Sequence, residues 1–100
     1  MRVDRLVSIK QIIAALTAGN VRFSEHALIQ MSKRGLTQAD VLRVAHTCVS
    51  FKWQETKQTF LVAGYAENGK GAAFSCIVEG GVVVVTVMWR HLSKAERSSG

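Results

Sequence analysis

The chain has 100 residues, 48% hydrophobic and 20% charged, with no proline and a formal net charge of +6. That length holds one core and that balance belongs to a folded chain, so the expectation is one domain, 1–100, rather than a disordered segment. The positive excess favours polyanions such as RNA or DNA, or an acidic protein.

Two cysteines, Cys48 and Cys76, have neither CxxC spacing nor a second pair. Both sit in apolar neighbourhoods, which reads as buried reduced thiols rather than a zinc site. No charged-then-apolar leader opens the chain and no apolar run is long enough to span a bilayer, so a cytoplasmic location is expected.

In chain order, residues 1–6 are polar and expected to be loose. From Ser8, a candidate N-cap, Ile9, Ile12, Ile13 and Leu16 repeat at i, i+3, i+4 and i+7, and Gly19-Asn20 stops the helix. Val21-Arg22-Phe23 is too short to classify. Ser24 then caps a second helix that Gly35 ends, since glycine enters the left-handed C′ conformation without a Cβ penalty. Thr37 with Asp40 is a loose capping box for a third helix, about Thr37 to His46. On the second helix Ala27, Leu28 and Met31 are expected to face the core, with His26, Gln30 and Lys33 opposite and Arg34 at the boundary. On the third, Val41, Leu42, Val44 and Ala45 point inward.

After Cys48 the hydrophobic period changes from 3.6 to 2. Val49, Phe51 and Trp53 alternate with Ser50, Lys52 and Gln54, as in a strand with one wet face. Further strands follow at about Thr59–Ala66, Ala72–Glu79 and Val82–Trp89. Asn68-Gly69 reads as a hairpin turn with both residues at positive φ, and Gly80-Gly81 reverses the chain again. Val82-Val83-Val84-Val85 is apolar on both faces, which predicts a central, doubly covered strand. Residues 91–100 are polar, with weak helical character around Leu92 to Arg97, and are expected to be loose. The fold class is α+β: N-terminal helices packed on a four-stranded antiparallel β-meander. Ile9, Ile12, Leu16, Leu28, Met31, Val41, Leu42, Phe51, Phe74, Val84 and Val85 are the expected core.

The stretch His26-Ala27-x-x-Gln30-Met31-x-x-Arg34-Gly35-Leu36-x-x-x-Asp40-Val41 resembles the His-Ala-x-x-Arg-Met-x-x-Arg-Gly-[Ile/Leu]-x-x-x-[Asp/Glu]-Val signature of a small bacterial domain family of unknown function. That family is similar in fold to the RelE/ParE-like toxins, and the likeness runs loosely from Val21 to about Trp89. It implies helices followed by an antiparallel sheet, with Val21–Phe23 as a brief strand. It also implies a toxin–antitoxin setting with a cognate antitoxin-like partner. Gln30 departs from the family's arginine and removes one cation from the polar face.

No metal-ligand cluster, phosphate-binding glycine loop or nucleophile elbow is present, and the seven acids are scattered. Metal-free cleavage of RNA asks for less: a group to deprotonate the 2′-OH, one to protonate the leaving oxygen, and cations around phosphorus. Available for this are His26, Lys33, Arg34, Lys52, Tyr65, Arg90 and His91. His26, Arg90 and His91 are the catalytic candidates, and Lys33, Arg34 and Lys52 the nucleic-acid-binding ones; no cofactor is implied. Two other functions fit the same residues. One is a non-catalytic protein-binding module. The other is a DNA-binding regulator, in which helix, glycine turn and helix resemble a helix-turn-helix with Gln38, Arg43 and His46 toward the DNA.

Overall fold

The computed structural model describes residues 7–94, and the helices that start at Ile9, Glu25 and Gln38 each follow a hydroxyl side chain. The expected looseness of 1–6, and the tail beyond Lys94, lie outside the described residues. Helix α1 (Ile9–Thr17) starts at Ser8, whose Oγ accepts from the Gln11 N–H while the Ser8 N–H donates to Gln11 Oε1. Two first-turn donors are thus paired reciprocally. Helix α2 (Glu25–Arg34) starts at Ser24, which accepts from the Ala27 N–H. It stops at Gly35 with φ +69°, where a side chain would be strained. Helix α3 (Gln38–His46) has the full box, with Asp40 N donating to Thr37 Oγ1 and Thr37 N to Asp40 Oδ2.

Five strands follow or intervene: β1 (Val21–Phe23), β2 (Ser50–Gln54), β3 (Thr59–Tyr65), β4 (Gly71–Val78) and β5 (Val82–Trp89). They form one sheet in the order β1-β5-β4-β3-β2. The expected antiparallel meander is present as β2 to β5, but the sheet is five-stranded and mixed, because β1 pairs in parallel with β5, Val21 opposite Val82. Three residues cannot display a period, and a pairing between distant segments leaves no turn signal, so composition gave no notice of it. Asn20 fixes that junction: its side-chain amide donates to Gly80 O at 3.1 Å and its carbonyl accepts from Val82 N at 3.0 Å. The interior position of β5 follows from β1, although the middle strand is β4. At the β3–β4 turn only Gly69 has positive φ. Gly69 N donates to Ala66 O, which puts Glu67 and Asn68 at the turn centre and Gly69 after it.

Helices α1, α2 and α3 pack on one face of the sheet: α2 on β5, α3 on β3 and β4, and α1 on α3 and β5. The core between the layers includes Ile12, Leu16, Ala27, Met31, Val41, Val44, Phe60, Phe74 and Val84. Leu28, expected in it, is 49% exposed, while Ile9, Leu42, Phe51 and Val85 are half-buried. On the opposite face Leu61, Ala63 and Ala73 are covered by Leu92. The described part of the tail, 91–94, therefore includes a buried anchor, Leu92 being only 3% exposed.

A bulge separates two registers on β5, since Ser75 pairs with Thr86 but Cys76 pairs with Val84. Val85 is the extra residue, so the side-chain alternation inverts there. Val82 and Val84 face the helices before the bulge, and Val87 does so after it. The same inversion carries Trp89 to the α2 side and leaves Arg90 to the other.

Candidate functional site

β1 covers β5 only as far as Val84. Beyond it the edge of β5 would present bare N–H and C=O groups, and α2, running alongside in the same direction, supplies their partners. Ser24 Oγ donates to Val85 O at 3.1 Å, Gln30 Oε1 accepts from Val87 N at 3.3 Å, and Arg34 Nη1 donates to Val87 O at 2.7 Å. In return the Trp89 indole N–H donates to Arg34 O at 2.8 Å, pairing a carbonyl that the helix end leaves open. Gln30 and Arg34 thus act as a substitute strand. The Val87 N–H needs an acceptor, which glutamine has and arginine lacks.

Where that edge ends, a cleft of about 670 Å³ opens between the end of β5 and the β3–β4 turn. Tyr65, Lys70, Trp89, Arg90, His91 and Leu92 line it, with the backbone of Gly69 and Gly71 between them. Gly71 lets the two walls meet. Its carbonyl accepts from Arg90 N at 3.0 Å, and a Cβ there would overlap the Arg90 carbonyl oxygen and lie 2.9 Å from Leu92 Cγ. Tyr65 is held by Thr47, whose Oγ1 accepts from Tyr65 N at 2.8 Å.

The turn wall is tied to the helical layer by Asp40. Its Oδ2 serves the Thr37 cap, and its Oδ1 accepts from Glu67 N at 3.0 Å. Burial pushes this carboxyl up, but the Glu67 and Thr37 N–H groups and the Thr37 hydroxyl pull it down further, and it stays below its ordinary value. A carboxylate with a depressed folded-state value stabilises the fold above its unfolded value, about 3.9, and that contribution is lost as pH falls through the folded one. Asp40→Asn should therefore cost about 1–2 kcal/mol at pH 7. Urea unfolding below about pH 4 should show the gap from wild type closing. A gap of constant size across that range would mean that the ionised form of Asp40 is not what holds the turn.

The sequence candidates divide between places. Arg90 and His91 meet in the cleft with Tyr65 and with Lys70, which composition did not single out. Arg34 adjoins this end through Trp89, with its guanidinium on the β5 backbone. His26 is exposed in the first turn of α2, about 12 Å along the helix axis from Arg34, and follows Ser24, which bonds to Val84 and Val85 in the middle of β5. His26 is not among the residues that line the cleft with Arg90 and His91. Lys33 is exposed on the last turn of α2, and Lys52 is exposed on the edge strand β2, opposite Leu61. A second recess of about 480 Å³ lies over the sheet face that carries Leu61, with Lys57, Thr59, Ser75, Thr86 and Arg90 in its lining, so Arg90 belongs to both hollows.

Among the described residues no three His, Cys, Asp or Glu side chains assemble in a way that could hold a metal ion, and no helix is long and apolar enough to cross a membrane. Both cysteines are free; burial raises Cys48 and pushes Cys76 up to about 12, which keeps each as a thiol. Comparison with known proteins finds no matching family model, no matching curated protein and no matching solved structure.

Proposed function

We propose that the protein binds single-stranded RNA in the cleft at the end of β5 and cleaves it by metal-independent transesterification. The observation that carries this reading is the grouping of His91, Arg90, Lys70 and Tyr65 around one opening. An imidazole, a phenol and two cations match what the reaction needs. His91 takes the 2′-OH proton, the 2′-oxygen forms its bond to phosphorus, and the bond to the 5′-oxygen breaks. Tyr65 or Lys70 gives the departing oxygen a proton, leaving a 2′,3′-cyclic phosphate and a 5′-OH. Arg90 balances the charge gathering on phosphorus. The net charge of +6 favours the encounter. We take the fold as RelE/ParE-like, a helical layer before the β2–β5 meander, in keeping with the signature on α2 and α3. A cognate antitoxin-like partner belongs to the same proposal.

Single-stranded RNA incubated with the protein should yield cyclic-phosphate ends, with EDTA leaving the rate unchanged. His91→Ala should lower the rate about 100-fold, and His26→Ala should leave it within about twofold, a margin far below one catalytic group's contribution. Intact RNA, or cleavage indifferent to His91, would reject this assignment. A second reading, a protein-binding module, is favoured by Leu28 and Ile29, adjacent on α2 and 49% and 48% exposed. It predicts instead a partner whose binding is lost in Leu28→Ser with RNA left uncut.

A further inference from the structure

Trp89 is unusual among the large apolar side chains here, being 37% exposed while its indole N–H is hydrogen-bonded. Its indole N–H is committed to Arg34 O at 2.8 Å, and the Arg34 guanidinium is committed to Val87 O at 2.7 Å, two residues before Trp89 on the same strand. These bonds close a loop through α2 and β5 that fixes the indole beside the cleft, where it stands with Lys70, Arg90 and His91. A rigid aromatic beside cations is how single-stranded nucleic acid is held, bases stacking on the ring while phosphates follow the charges. Such stacking needs no hydrogen bond from the indole, whose one donor is already used.

We infer that Trp89 is a base-stacking platform, and that the cleft takes a nucleotide with its base on the indole and its phosphate toward Lys70, Arg90 and His91. This rests on the reading of the cleft as a single-stranded nucleic-acid site but not on any cleavage there. It sets the recognised unit as a base with its phosphate, tolerant of base identity, rather than a phosphate chain.

The test uses a Trp53→Phe background, which leaves Trp89 as the sole tryptophan of the chain. It is titrated with a short oligothymidylate, which has no 2′-OH and stays intact, and with an abasic oligodeoxynucleotide of the same length. Trp89 fluorescence should be quenched by the first and not by the second, and the thymidylate should bind about tenfold more tightly. Trp89→Leu should remove that difference, and Trp89→Phe, which keeps a ring face, should retain part of it. Equal affinities with silent fluorescence would overturn the inference, whatever the Leu variant does to folding. The two assignments fail separately: quenching by thymidylate with RNA left intact rejects cleavage alone, and cleavage with silent Trp89 rejects stacking alone.

Discussion

Gly64→Ala should destabilise the protein by about 3 kcal/mol, a large share of what a domain of this size has. Helix α3 lies on β3 at this glycine. A Cβ there would overlap the Val44 carbonyl oxygen and stand 2.8 Å from Thr47 Oγ1 and 3.1 Å from the Thr47 carbonyl carbon. Two of those three neighbours are backbone, so no rotamer change relieves the overlap and the helix has to lift off the sheet. Lifting it also strains the bond from Tyr65 N to Thr47 Oγ1, which secures one wall of the cleft. Urea unfolding measures the cost. A loss under about 0.5 kcal/mol, the scatter of ordinary surface substitutions, would mean that the α3–β3 contact yields easily.

Met31→Asp should cost about 4 kcal/mol, because Met31 is 6% exposed among apolar neighbours and a carboxylate there has no partner. Leu28→Asp, three residues earlier on the same helix, should cost less than about 1 kcal/mol, since Leu28 is 49% exposed. The pair is best measured side by side in thermal melts. Similar losses for both would place the core-facing stripe of α2 midway between them, where the hydrophobic pattern alone puts it.

That pattern misplaces Leu28 for a physical reason. A hydrophobicity pattern assumes that polar side chains turn away from the fold, but on α2 Gln30 and Arg34 reach across to serve the backbone at the edge of β5. The stripe therefore centres on Ala27 and Met31 and drops Leu28. Helix starts were legible because a cap is chemistry within four residues: Ser8, Ser24 and Thr37 each do what a hydroxyl at that spacing does. The meander was legible from period-2 runs between turn residues. The bulge at Val85 was not, since four consecutive valines carry no mark of which one is extra. Of the cleft, the pairing of Arg90 with His91 could be read at the end of a strand. Lys70 could not, being one lysine in a turn that only the β4–β5 register brings to the end of β5.

The parallel pair of β1 with β5 also bears on how the chain reaches this fold. The strands of the meander are neighbours along the chain and need only short loops to meet. Joining Val21 to Val82 closes a loop of about sixty residues, and three residue pairs return little for that entropy. The favoured sequence of events is that the meander forms first and β1 docks late, together with α2. Until then β5 has an open outer edge, so nascent chains are most exposed to pairing with one another there, and the residues that seal that edge also guard the folding route.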